Sequence, residues 1–547
     1  MPADVTWRRL APALAVLAAV LPYLPTINDY FVQDDFGVVG LLASKPASFF
    51  PRWFVIPWME NIWEYTPDEI RPFVAVTYQV AAQWSPGSPV PQHLLNLALH
   101  AGNAWLVLGI ARRVAGLGTP AALLAAMAFA LLPMQTESVA WVTGRVDSMP
   151  AFFYLAAVLL YARWRDQGSR AAYWGAVAAC FVALFSKQNT VTLGPALAAY
   201  DLIVRREPIR VSWGWVRPYL PFAVLTAGYL LLRYAVFGEM ARESMLNSAR
   251  FAVFGSEVTI HLRRMIFGEP GLGIAPARAA LIVGGAAVVI AALGWLRGSA
   301  TAGVASGFSR KMVVRSLVYF GGVWLVLGIA PTIVAGYASP RHMYLASAGW
   351  AIVLGIAVEV LAAIRPARLA RPVAMVAGAG VLIAYTVVLV RDVRLWGARG
   401  DVSRAAVADV TRDAAANPPG TLIIAGAPRR SWDFALPYAL RQPFVDADVT
   451  GRARVISDSS LHCCPAVPWE AYTRRSLRAW ADDPRRPPVI ALYWDQDTGR
   501  LSRISDADDP FLRAVVSEFL ATDNVAALDR AIHDTLRQLA APRIQSR

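Results

Sequence analysis

Two adjacent aspartates, Asp34 and Asp35, stand in NDYFVQDDFGVV, just after the apolar segment LAPALAVLAAVLPYLPTI (residues 10–27). A carboxylate pair beside hydrocarbon is costly, so it asks for a chemical reason. A carboxylate placed beside a hydroxyl can take its proton as the oxygen attacks, which is general-base chemistry. Polar residues recur at the ends of other apolar segments. LPMQTESVAWVTGRVDS carries Glu137, Arg145 and Asp147, SKQN carries Lys187, and YASPRHMYLAS carries Arg341, His342 and Tyr344. Arg71 precedes Pro72, and His93 and His100 fall on one face of a helical stretch. Cations at three separate segment ends, together with a carboxylate pair, describe a site for an anionic group plus a base.

Each residue also has an ordinary reading. Arg145 and Asp147 can form a structural ion pair. Lys187 can snorkel to an interface, His93 and His100 can be satisfied bundle histidines, and Asp34 with Asp35 can cap a turn. Their joint appearance on one side of a membrane is what favours the chemical reading.

The elements that carry these residues are membrane helices. Of 547 residues, 56% are hydrophobic and only 16% charged, too apolar and too long for a single soluble core. By length and apolarity we expect about 11 spans, at about 10–28, 94–111, 120–133, 150–163, 171–185, 190–204, 217–236, 278–296, 314–335, 343–363 and 372–391. The short ones near 120 and 190 end in proline or glycine, which suits helices packed inside a bundle. With the N-terminus inside, Arg8 and Arg9, Arg112 and Arg113, and the basic runs at 163–170, 205–217, 297–315 and 365–371 all fall in cytoplasmic loops. That is the positive-inside pattern. The net charge of +14 therefore reads as membrane orientation, not as nucleic-acid binding. An odd number of spans puts the C-terminus outside, in a bacterium the periplasm. The first apolar segment lacks a small-residue cleavage site and reads as an uncleaved span.

From about residue 392 the chain is charged and no longer able to span. TLIIAG (421–426) and PVIALYW (488–494) read as buried strands, the second entering a hairpin through DQDTG. Val525, Leu528, Ile532, Leu536 and Leu539 recur at helical spacing. The expected fold is a polytopic α-helical membrane protein, residues 1–391, with a small extracytoplasmic α/β domain, 392–547. Cys180 reads as inert packing. Cys463 and Cys464 lack zinc spacing, and their redox state stays open.

At five places the chain resembles the GT-C membrane glycosyltransferases, most closely the transmembrane O-mannosyltransferases that carry TPR repeats, and more distantly the protein O-mannosyltransferases. QDDFG resembles the acidic motif of the first outward loop. RPFVAVTYQV with QHLLNLALHAGNAWLV resembles the Arg-Pro segment and the His-x-x-Asn-x-x-x-His helix. LPMQTESVAWVTGRVDSMPAFFYL resembles the loop with Thr-Glu, Gly-Arg and Asp. LFSKQNTVTLGPALAAYDL resembles the Ser-Lys-Glu segment, and SPRHMYLASAG the segment with Glu-Arg-Tyr-Leu. Departures are Leu132 and Gln135 where the family has histidines, Gln188 for the glutamate after the lysine, and Pro340 for the acid before the arginine. The TPR array is absent.

The resemblance implies a sugar donor on a polyprenyl phosphate and an acceptor hydroxyl on protein, lipid or glycan, at the outer face of a bacterial inner membrane. It implies Asp34 as base and Asp35 as its support, with transfer by a single inverting displacement. Arg145, Lys187 and Arg341 become candidates for the donor phosphate. Glu137 and Asp147 would orient sugar hydroxyls or hold the arginines, with Arg71, His93, His342 and Tyr344 in support. It leaves a divalent metal open. The rival class is a transporter or flippase of a lipid-linked sugar. Such proteins place charges near mid-membrane in broken helices with inverted repeats, and no internal repeat is visible here.

Overall fold

The structure is a computed structural model that describes residues 2–60, 69–210, 212–240, 254–267, 310–334, 339–364, 367–419, 421–426, 436–455, 489–495 and 497–505, with a few isolated positions beyond. The described chain is mostly helical. The expected span 278–296, the C-terminal amphipathic helix and Cys463 with Cys464 lie outside the described residues. Its contacts form two compact units. One comprises Met1–Ile27, Ile70–Val74 and His93–Arg394, and the other Asn28–Glu69, Ala75–Gln92 and Leu395–Arg547.

Six described helices are long and apolar enough to cross a membrane: Arg9–Asn28, Val90–Arg113, Trp213–Phe237, Lys311–Val334, Pro340–Ala362 and Arg368–Ala416. A bent pair, Thr119–Leu131 with Pro133–Ala140, makes a seventh if counted as one span. This is fewer than the 11 read from the sequence. The expected spans at 150–163 and 171–185 are helical, Arg145–Gln167 and Arg170–Leu184, but the first carries charges at both ends and the second is short. The stretch at 190–204 breaks into a 3-10 turn, a helix Leu193–Ala199 and a π turn Tyr200–Arg205. Interior helices can be short or partly polar because neighbouring helices satisfy what lipid cannot.

The 49° bend has a local cause. Pro133 has no N–H and drives Leu132 out of helical geometry, to φ −63° and ψ 122°. The chain then turns through Thr136–Ala140 into Arg145–Gln167. Gly144 permits that turn, since a Cβ there would lie 2.3 Å from the Glu137 carbonyl oxygen.

In the second unit, β1 (Leu422–Gly426), β2 (Ala453–Val455), β3 (Val489–Asp495) and β4 (Arg500–Ser505) form a sheet in the order β2-β1-β3-β4. β1 pairs in parallel with β2 and β3, and β3 and β4 form an antiparallel hairpin. Two of these strands are TLIIAG and PVIALYW, and Ile423, Ile490, Leu492 and Leu501 bury the core face. The long helix Ala367–Ala416 contributes its residues from Leu395 onward to this unit. Its buried Asp409 accepts hydrogen bonds from Arg500 Nε (2.9 Å), from the Leu501 N–H (2.9 Å) and from Arg412 Nη1 (2.8 Å). A buried carboxylate is tolerable only with such partners. Arg452 closes the helix end by donating to the carbonyls of Ala414, Asn417 and Pro418.

Candidate active site

Within the first unit, three segments far apart in sequence meet on Asp147. Asp147 lies in the first turn of Arg145–Gln167 and is buried. Lys187, in extended backbone three residues past the end of Arg170–Leu184, donates a short hydrogen bond from Nζ to Asp147 Oδ1. The 3-10 turn Pro340–Met343 brings His342 Nδ1 to 3.6 Å from Asp147 Oδ1 and Arg341 Nε to 3.7 Å from Asp147 Oδ2. Glu137 accepts a hydrogen bond from Ser339 Oγ and lies 3.7 Å from Arg341 Nη1. The Arg341 guanidinium sits 4.5 Å from the centre of the Trp141 ring, a cation–π arrangement.

Burial opposes charge on Asp147, yet the Lys187 ammonium, and after it the Arg341 guanidinium, hold its carboxyl well below the usual carboxylate range. Burial also pulls the Lys187 ammonium below its ordinary value; Asp147 opposes this, while the fields of Arg71 and Arg341 add to it. Arg71 is thus felt at Lys187 as a positive field. Exposure is graded. The side chains of Lys187 and Asp147 are 4% and 2% exposed, whereas those of Arg341 and Glu137 are 20% and 23%. Arg341 and Glu137 form the open edge of the cluster.

Arg145 takes a different place. It is completely buried, and its Nε donates to Asn96 Oδ1 at 2.8 Å. Asn96 Nδ2 in turn donates to the carbonyls of Val139, Trp141 and Val142. This node holds the turn between Glu137 and Asp147 in shape. Asn96 is the asparagine of the His-x-x-Asn-x-x-x-His segment, to which the motif alone assigns no role, and a fully buried amide on an apolar helix needs such partners. The ion pair between Arg145 and Asp147 considered from sequence is replaced by the pairing of Asp147 with Lys187.

Tyr344, two residues beyond His342, is buried and joins a second polar chain. His100 Nε2 faces the Ala130 carbonyl at 3.1 Å, so that nitrogen is assigned the proton and Nδ1 accepts from the Tyr344 hydroxyl at 2.7 Å. Asn103 Nδ2 donates to the same hydroxyl at 3.1 Å and to the Ser148 carbonyl. Gln135, where the family carries a histidine, donates to Ser347 Oγ at 2.8 Å. His93 is buried on the same helix as Asn96 and His100. Among the described residues, no group of three or more His, Cys, Asp and Glu side chains is placed to hold a metal ion.

The acidic motif belongs to the second unit. Asp34 and Asp35 open the helix Asp34–Ala43. Asp35 is buried, and its Oδ2 accepts the Val32 N–H at 3.0 Å while its own N–H donates to the Val32 carbonyl. Asp34 is half-buried. Gln33, just before it, has φ 52° and ψ −125°, a strained conformation for a residue with a side chain.

No protein-family model matches the chain. Among curated proteins it is similar to protein O-mannosyl-transferase TMTC3 of Mus musculus, 26% identical over 211 residues, covering 37% of this chain and 22% of that protein. It is also similar to protein O-mannosyl-transferase TMTC4 of Homo sapiens, 30% identical over 211 residues, covering 34% of this chain and 28% of that protein. The aligned part is thus about a quarter of the length of these relatives. Among solved structures it resembles that of ArnT from Cupriavidus metallidurans bound to undecaprenyl phosphate, with TM-score 0.49 and 15% identity over 90% of this chain and 94% of that one.

Proposed function

We propose that this chain is a GT-C-type membrane glycosyltransferase that moves a sugar from a polyprenyl-phosphate donor to an acceptor hydroxyl. The observation that carries this reading is the half-open cluster in which Lys187 and Arg341 pair with Asp147, with Arg71 adding its positive field to Lys187. The similarity to O-mannosyl-transferases supports it and makes mannose the first sugar to try. In this reading the chain crosses a bacterial inner membrane about 11 times. Its acidic motif, its cationic cluster and its α/β tail (392–547) then lie on the periplasmic side, with the membrane domain at 1–391.

Transfer breaks the bond between the anomeric carbon and the donor phosphate oxygen and forms a bond from that carbon to the acceptor oxygen. The acceptor proton passes to Asp34. The negative charge that develops on the departing phosphate is met by fixed cations, which need no rearrangement at the moment of reaction. Lys187 is the buried, pre-set charge. Arg341 is the partly exposed one, at the open edge of the cluster, where its planar fork of N–H donors suits a phosphate oxygen. Asp35 holds the first turn by its bond to Val32. One displacement inverts the anomeric centre.

The test is reconstitution in liposomes with a radiolabelled polyprenyl-phosphate sugar and a pool of hydroxyl acceptors. Label transferred to an acceptor, with inverted linkage, is the expected outcome. Label moved across the bilayer and still lipid-linked would establish the flippase reading instead.

A further inference from the structure

The segment that carries the acidic motif is gripped from one side by a stretch of the chain about 370 residues later, as the sequence separations 372 and 376 of the two hydrogen bonds record. Both partners lie in the second unit. On the long helix Ala367–Ala416, Arg404 Nη2 donates to the Asn28 carbonyl at 2.8 Å, and its guanidinium lies over the Tyr30 ring at 5.2 Å. One residue earlier, Ser403 is completely buried and its Oγ donates to the Phe31 carbonyl at 2.5 Å. One helical turn before Arg404, Gly400 lets the two backbones touch. A Cβ there would lie 3.0 Å from the Tyr30 nitrogen and 3.1 Å from the Tyr30 oxygen. Phe444 closes the other flank, its ring 5.1 Å from that of Phe31 and 5.0 Å from that of Phe36.

We infer that Gly400 and Ser403 are positioning residues for Asp34: they fix the backbone from Asn28 to Phe31, and so the point from which the motif turns. This inference rests on the reading of Asp34 as the base. The chain leaves the grip at Val32, passes the strained Gln33 and enters a helix at Asp34. A conformation such as that of Gln33 persists only when its surroundings over-determine it. On one side those surroundings are the Asp35–Val32 hydrogen bonds. On the other they are the helix at 400–404. The C-terminal part of this long helix thus has a task at the acidic motif.

Ser403→Ala, Ser403→Thr and Gly400→Ala test this in the full chain, with two readouts. One is sugar transfer, and the other is amide hydrogen exchange of residues 28–36. A misplacement of the order of 1 Å costs about 100-fold in rate. Ser403→Ala and Gly400→Ala are therefore expected to lower kcat by about 10- to 100-fold, with donor KM within about twofold, and to speed exchange at 28–36. Ser403→Thr retains the hydroxyl and is expected to restore both readouts. Unchanged exchange in Ser403→Ala overturns the grip. Faster exchange with unchanged kcat, in a protein that Asp34→Asn inactivates, overturns the positioning role. If the wild type transfers no sugar, the base assignment fails, and the exchange readout still decides whether the grip exists.

Discussion

The ammonium nitrogen of Lys187 lies 3.1 Å from Nδ1 of His342, 155 residues further along the chain. An ammonium has only donors, so when Lys187 is charged Nδ1 must accept and the imidazole proton sits on Nε2. Lys187 thereby has one neutral and one anionic partner, His342 and Asp147, in a place nearly closed to solvent.

Breaking that buried pair from one side should be far more damaging than removing it entirely. Asp147→Asn leaves a buried ammonium without its counter-charge, and a loss of about 3–5 kcal/mol is expected. Lys187→Met alone leaves the reciprocal problem. The double variant should recover much of the loss, though not activity. Thermal unfolding of the four proteins in detergent, read as a double-mutant cycle, checks this. Additive losses would mean that the two charges do not compensate each other.

Arg341 should control donor use with little effect on the fold, because its side chain stands at the open edge of the cluster. Arg341→Gln is expected to raise donor KM, and Arg341→Glu to raise it further by repelling the phosphate. Both should retain the wild-type melting temperature. Equal KM for the neutral and reversed variants would remove Arg341 from the phosphate.

Asp34→Asn keeps the size of the side chain and removes its basicity. Transfer should fall by about two to four orders of magnitude, the usual range for a general base. Asp35→Asn retains an acceptor oxygen for the Val32 N–H, so its loss should be smaller. Near-normal transfer by Asp34→Asn with an inactive Asp35→Asn would exchange the two roles.

Asp29 supplies a pH dependence. Burial, then the neighbouring Asp401, push its carboxyl up to about 6, against the pull of Arg404. An acid whose folded value is raised favours the fold while protonated. Its contribution is fully present below about pH 4 and is lost as pH rises through about 6. Asp29→Asn should therefore match the wild type in apparent melting temperature near pH 4 and exceed it at pH 7.5. A constant difference across that range would show that Asp29 does not titrate there.

Orientation is open to a labelling experiment in a cysteine-free background. A cysteine at Ser48, which is exposed, should react with an impermeant thiol reagent from outside the cell. A cysteine at Ser169, in a basic loop, should react only after permeabilisation. The reverse pattern would invert the topology.

Much of this was legible without coordinates. Apolar runs mark the long helices, because transfer into hydrocarbon acts on residues near each other in sequence. TLIIAG and PVIALYW declare themselves as strands for a similar reason, each a short continuous apolar run. The acidic pair, Lys187 and Arg341 were visible because charge beside an apolar run is rare. Which cation answers which carboxylate was not legible. Asp147 takes Lys187, 40 residues away, and not Arg145, two residues away. Arg145 turns to Asn96 instead, and Arg71 adds its field to Lys187. The hold of Gly400 and Ser403 on the acidic motif was likewise invisible. Periodicity reports what a segment buries, whereas an ion pair or a backbone contact depends on how distant helix ends are packed, and only tertiary structure sets that distance.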